Sequence, residues 1–311
     1  MQLFKKPTNI NFMGQRKLAV IFSAMLLLVA IGAIIARGFN FGIDFTGGTL
    51  VEVGYPQGVE LSGIRGALEQ DGYGDAVVQH FGKASDVLIR IAPKEGLSSA
   101  ELSDNVLNTL KIQNSEVELR RVEFVGPQVG DELTNDGGKA MIYALIGILI
   151  YVAMRFEYRF AVGSVAALVH DVIVTLGVFA VLQLDFDLTV LAAILAVIGY
   201  SLNDTIVVFD RIRENFIKLR KGTPVEVVNT SLNQTLARTL MTSVTTLLVL
   251  LALFVFGGEL IHGFATALIV GVLIGTYSSI YVASASALAL GINKADLMPV
   301  EKEGAEQDAM P

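Results

Sequence analysis

The chain has no cysteine, no tryptophan and only three histidines among its 311 residues. Without cysteine there is no disulfide scaffold, no thiolate-held zinc or iron–sulfur cluster and no thiol nucleophile. The histidines, His80, His170 and His262, are too far apart in sequence to suggest a metal cluster, and no metal or cofactor is expected. Charge is also scarce, at 17% of residues with a net −7, and the basic residues are spread over separate segments. Nucleic-acid binding needs clustered Lys and Arg, so that partner class is excluded. Apolar residues, at 53%, are what the chain has in excess, and they fall in long unbroken runs that point to a lipid bilayer.

A hydrocarbon layer about 30 Å thick takes roughly 20 apolar helical residues. Leu18 to Ala36, Phe160 to Leu182, Leu188 to Phe209, Leu240 to Phe256 and Gly263 to Leu290 come close to or exceed that length. Ala140 to Met154 is short, and must begin near Thr134 or snorkel at its flanks to span. The first run has no Ala-x-Ala cleavage site and exceeds a signal peptide's apolar core, so it is expected to remain as an anchor. Lys5, Lys6, Arg16 and Lys17 precede the first span, Arg155 and Arg159 lie between spans two and three, and Arg211, Arg213, Lys218, Arg220, Lys221 and Arg238 precede span five. The opposite short loops, Gln183 to Asp187 and Gly257 to His262, have no Lys or Arg. By the positive-inside rule both termini, 1–17 and 291–311, are cytoplasmic, and the soluble domain is on the far side.

That domain, at 37–135, changes to strand-like alternation and amphipathic periodicity. Thr49 to Tyr55, Ala76 to Phe81, Val87 to Ile91 and Ser115 to Val125 read as strands; Leu61 to Gln70, and a stretch capped by Ser98 with Glu101, read as helices. The order βαββαβ predicts a ferredoxin-like α+β sandwich between helices one and two. It holds no pairing of nucleophile and base, His80 is expected to be structural, and no enzyme is indicated. Thr223-Pro224-Val225-Glu226 starts a further helix. Its apolar face, Val225, Val228, Leu232 and Leu236, suits the cytoplasmic membrane surface, within a loop at 210–237. Gly271, Gly275, Ser279 and Ala283 allow close packing along span six, more suited to internal contacts than to a dimer seam.

A carboxylate inside a span costs about 2.5–3.5 kcal/mol on insertion scales, so intramembrane acids are expected to carry function. Asp204 lies two turns before Arg211 in span four, and Arg238 opens span five from the same side, so the two could pair. Either they form a fixed tether with Asn203 and nearby threonines as interhelical glue, or a movable Arg238 makes Asp204 hold and release a proton. Arg238, Thr242 and Thr245 recur at helical spacing as a stripe suited to a hydrated path. His170 and Asp171, near the middle of span three, form a second polar site, either structural or proton-transferring, although neighbours on a helix point to different faces.

The segment GYSLNDTIVVFDRIREN, Gly199 to Asn215, resembles the fourth span of SecF-type members of the SecD/SecF family. Gly42 to Thr49, Gly126 to Leu133, Ala167 to Asp171, Arg238 to Thr246 and Gly275 to Ile280 are similar to the same family, in its order. The resemblance implies half of an RND-superfamily bundle of twelve spans, with a SecD partner supplying the other six. It implies, further, association with the SecYEG channel and YajC, and coupling of the proton gradient to movement of unfolded exported polypeptide in the bacterial inner membrane. It also implies proton-transfer roles for positions matching Asp204 and Arg238. No nucleotide-binding motif offers another energy source. Two other readings stay open: an RND exporter of small molecules or lipids, which normally carries both halves in one chain, and a passive translocon scaffold.

Overall fold

The computed structural model describes residues 8–94, 96–219 and 222–293. Lys5, Lys6, Arg220 and Lys221, used above to orient the chain, and most of the C-terminal tail lie outside the described residues. Among the described residues ten α-helices and six strands follow one another: α1 (Arg16–Arg37), β1 (Asn40–Phe41), α2 (Ile43–Thr46), β2 (Gly48–Gly54), α3 (Leu61–Gln70), β3 (Val77–Phe81), β4 (Lys83–Ile91), α4 (Ser99–Gln113), β5 (Glu118–Val125), α5 (Pro127–Arg155), α6 (Tyr158–Leu182), β6 (Asp185–Phe186), α7 (Leu188–Lys218), α8 (Pro224–Phe256), α9 (His262–Ser278) and α10 (Ser284–Ala289). A π-helical turn, Ser279–Ala283, joins α9 to α10, so these three pieces form one span. Among the described residues six helical segments are long and apolar enough to cross a bilayer.

Strands β2 to β5 form an antiparallel sheet in the order β3-β4-β2-β5. Alternation puts Val51, Val53, Val87, Ile89 and Ile91 on one face, where they pack with Ile64 and Leu68 of α3 and Leu102, Val106 and Leu110 of α4. Ser98 caps α4, its hydroxyl accepting from Glu101 N–H while the Glu101 carboxylate accepts from Ser98 N–H at 2.8 Å. The Ser98 N–H, and the Ser98 hydroxyl donating to the same carboxylate at 2.7 Å, hold the Glu101 carboxyl below the ordinary glutamate range.

The other face of the sheet rests on the membrane helices. Asp185, in the α6–α7 turn, accepts from Asn40 (2.6 Å), Gln79 (2.5 Å) and Arg90 (2.9 Å), tying the exit of α1 and strands β3 and β4 to one carboxylate. Beside it β1 pairs with β6 in a two-residue parallel ladder. The glycine-rich segment is partly helical, because α2 fits within it. Gly47 turns with φ 66° against Pro127, where an added Cβ would come within 3.0 Å of Pro127 Cα. Asp44 accepts from Leu188 N–H at 3.0 Å, so this short segment joins the start of α7 to the start of α5.

Helix α5 starts at Pro127, well before Thr134, which resolves the shortness of the second apolar run. The separate surface helix expected at 225–236 is instead the first third of α8. At 33 residues α8 is about 50 Å long, far beyond the hydrocarbon thickness. Its Val228, Leu232 and Leu236 are buried in the core formed with Ile212 and Phe216 of α7, not laid on lipid. Asn215, itself buried, donates to Ser231 (2.8 Å) and Gln234 (2.9 Å) across this pair. The hydrophobic face was read correctly and its partner was not: a protein helix satisfies the same apolar stripe as a membrane surface.

Small residues set the helix spacing. A Cβ on Gly271 of α9 would sit 2.1 Å from Val197 Cγ2, and one on Gly275 would sit 3.1 Å from Ser201 Cβ, both on α7. The seam is internal. Gly271→Leu is therefore expected to destabilise the chain by about 1–3 kcal/mol or more through overpacking. Gly147→Ala, where nothing lies within 4 Å, should be neutral. Thermal unfolding of the two variants in the same detergent checks this, and equal midpoints would refute the packing account.

Candidate functional site

Two carboxylates stand inside the helical bundle. Asp171 of α6 is buried, with 1% of its surface exposed. Its Oδ2 accepts from Ser201 of α7 (2.5 Å) and Ser278 of α9 (2.6 Å), and its Oδ1 lies 3.0 Å from His170 Nδ1. Although His170 and Asp171 are adjacent on a helix, their side chains meet. The His170 ring packs 6.1 Å from that of Tyr277, and its Nε2 has no partner among the described residues. Asp171 thus joins three helices through hydroxyl donors, which suits a carboxylate held away from water.

Asp204 of α7 is partly buried and takes a similar shell. Its Oδ1 accepts from Thr239 of α8 (2.7 Å) and its Oδ2 from Ser279 of span six (2.5 Å). Arg238, the neighbour of Thr239, acts on Asp204 by its charge, but no hydrogen bond joins them. Nor do they form an ion pair among the described residues. The simple tether is therefore absent; the residue beside Arg238 makes the contact instead.

The two acids share a bridge. Ser278 and Ser279 are consecutive, yet one donates to Asp171 and the other to Asp204. Consecutive helical positions differ by about 100°, and the π turn starting at Ser279 occurs at this divergence. Ser284 Oγ donates to Ser279 C=O at 3.3 Å across that turn. Ser201 and Asp204 lie one turn apart on α7, so the Asp171 and Asp204 shells are neighbours in the bundle, joined through the chain at Ser278–Ser279 and not by a hydrogen bond between them. A further link, Tyr200 OH to Ser243 (3.2 Å) and Ser243 to Thr276 (2.7 Å), crosses α7, α8 and α9 nearby.

The remaining sequence candidates lie elsewhere. Asn203, Arg238, Thr242 and Thr245 are exposed on the outer side of α7 and α8. Thr242 and Thr245 donate to carbonyls of their own helix, Arg238 C=O at 3.0 Å and Met241 C=O at 2.8 Å. This stripe is on a surface, not around an internal path of this chain. Residues that sequence reading missed as site members are Ser201, Thr239, Ser278 and Ser279. Their signal was polarity within apolar runs, but only the fold shows which acid each one meets.

Six apolar helices enclosing two hydroxyl-bonded carboxylates, with an α+β unit on the first interhelical connection, define a multi-pass membrane protein. The chain belongs to the SecD/SecF family: the model of "Protein export membrane protein SecD/SecF, C-terminal" matches residues 105–293, and that of the "SecD/SecF GG Motif" matches residues 32–59. It is 56% identical to the protein translocase subunit SecF of Vibrio alginolyticus over 313 residues, covering 100% of this chain and 99% of the relative. It is 50% identical to that of Pseudomonas aeruginosa over 305 residues, covering 97% of this chain and 98% of the relative. Among solved structures it is similar to SecDF, a translocon-associated membrane protein from Thermus thermophilus, with a TM-score of 0.83 and 40% identity over 93% of this chain. The chain spans 39% of the length of that SecDF chain.

Proposed function

We propose that this chain is a SecF-type subunit that couples an inward proton flow to export of unfolded polypeptide, working with a SecD partner at the SecYEG channel. The observation that carries the reading is the Asp204 shell. A partly buried carboxylate held by two hydroxyls, with Arg238 one residue before its partner Thr239 and not paired with it, has alternative partners for its charged and its neutral state. Asp204 and Arg238 would hold and release the proton, Asp171 and His170 would extend the relay, and Asn203, Thr242 and Thr245 would hydrate its entrance. That polar stripe is costly against lipid, which supports a second six-span half covering it. Each charge crossing 100 mV supplies about 2.3 kcal/mol, enough to bias a modest conformational switch. YajC fits as a further associated subunit. The direct test is ion flux in vesicles holding this chain with a SecD partner; absence of gradient-driven flux would favour the passive scaffold.

The arrangement in the membrane belongs to the same reading. The chain would lie in the bacterial inner membrane with both termini and the α7–α8 turn in the cytoplasm, and the four-stranded unit, as a ferredoxin-like domain, in the periplasm. Arg155, Arg211, Arg213 and Lys218 at one end of the bundle and Asp185, Asp187 and Glu259 at the other support it. In this cysteine-free chain, Ser62→Cys and Thr223→Cys should react with an impermeant thiol reagent from opposite sides. Reaction of both from one side would overturn the topology.

A further inference from the structure

At the end of the bundle where α1 and α8 begin, a groove of about 750 Å³ runs between α1, the first turn of α8 and the end of span six. Its walls are apolar: Val20 and Ile21 from α1, Val225 from α8, and Leu288, Ala289 and Ile292 from the end of span six. Its rim is basic, formed by Arg16 and Lys17 in the first turn of α1. Among the described residues neither of these has a carboxylate partner. The nearest acid in sequence to the α8 wall, Glu226, has its carboxylate committed to Thr223 N–H at 2.7 Å. One helical turn beyond the basic pair, Val20 and Ile21 are each 57% exposed, so the groove passes from the headgroup layer straight into hydrocarbon.

We infer that this groove is a binding site for one anionic phospholipid, whose phosphate is held by Arg16 and Lys17 and whose acyl chain fills the apolar channel toward Ile21 and Leu288. The two halves of such a molecule match the two halves of the groove, and neither alone explains it. A neutral lipid would leave two cations unmatched, whereas a soluble phosphate would leave the apolar channel without an acyl chain to fill it. The first turn of α8, the positive end of its macrodipole, lines the same groove through Pro224 and Val225. The volume is within the range of sites that enclose small ligands. The inference needs only that α1 spans the bilayer, and it stands apart from the roles given to Asp204 and Asp171.

The test uses the full chain reconstituted in phosphatidylcholine vesicles with spin-labelled phosphatidylglycerol or spin-labelled phosphatidylcholine as probe. The motionally restricted fraction should show a preference of about threefold or more for phosphatidylglycerol. Arg16→Gln with Lys17→Gln should abolish the preference, and Arg16→Lys with Lys17→Arg should keep most of it. Ala289→Phe, which fills the channel without changing charge, should also lower it, because diffuse surface attraction alone would not respond to an apolar plug. Equal restriction of the two lipids would overturn the site, as would a preference that survives the double Gln variant or ignores Ala289→Phe. A preference that emerges only when residues 294–311 are removed would identify the chain's own tail as the occupant and overturn it too.

Discussion

Asp204→Asn, in a chain that still inserts and assembles with a SecD partner, should reduce gradient-dependent stimulation of export to background, a loss of tenfold or more. Asparagine keeps the size of the side chain. Its oxygen still accepts from Thr239, and its amide can donate to Ser279, whose hydroxyl turns from donor to acceptor, so the bundle has little reason to come apart. What disappears is the titration. The structure sharpens the comparison with a purely structural role, because Asp204 contacts hydroxyls and not the guanidinium of Arg238. Exchanging the charges, Asp204→Arg with Arg238→Asp, would drive a guanidinium among Ser279 and Thr239, which offer it no counter-charge, while the carboxylate would lie on the exposed side of α8. The exchange is therefore expected to fail. Arg238→Lys keeps the charge beside Asp204 and should retain part of the stimulation, since no bidentate contact would be lost. Export measured in inverted vesicles with and without an imposed gradient reads all three variants. Full stimulation by an assembled Asp204→Asn chain would show that this carboxylate is dispensable and place the driving group elsewhere, at Asp171 or in the partner.

Hydropathy located the spans because a bilayer demands the same thing of each: enough apolar helix to cross it with every backbone group bonded internally. The caps at Ser98 and Thr223 were equally legible, since a hydroxyl followed by Glu three residues later satisfies two orphan amides whatever the tertiary setting. Period-two alternation found the four strands of the larger sheet to within a few residues, though not β1 and β6, and the longest disagreement among the four, β4 starting at Lys83 and not Val87, reflects a polar strand end that alternation does not mark. What depends on a partner was harder. The apolar face at Val228 and Leu232 was visible, but a periodic stripe does not say whether lipid or another helix covers it. The loop holding Asp185 stands out in the sequence only for its lack of Lys and Arg, whereas Asp185 gathers donors from residues 40, 79 and 90, separations that no local pattern encodes. The π turn is of the same kind. Ser278 and Ser279 look alike in the chain, and only their divergence toward Asp171 and Asp204 gives each a distinct acid.

Asp171→Ala is expected to have the larger structural effect of the two acids, destabilising the chain by about 2–5 kcal/mol. The substitution removes the acceptor of Ser201 and Ser278 and the partner of His170 together, in a site where water cannot easily replace it. Each buried donor left unmatched costs about 1–3 kcal/mol, and three groups on three helices depend on this one carboxylate. Asp171→Asn separates holding the helices from carrying a proton. Its amide can still bond two of the three partners, so most of the stability should return. If Asp171 also passes protons from Asp204 through the Ser279–Ser278 bridge, Asp171→Asn should nonetheless slow gradient-driven flux by about tenfold while the thermal midpoint stays near that of the parent. Ser278→Ala gives the companion measurement, since it breaks the bridge and leaves both acids in place. Normal flux in both Asp171→Asn and Ser278→Ala, together with a low midpoint for Asp171→Ala, would make Asp171 a structural hub only and confine proton transfer to the Asp204 shell.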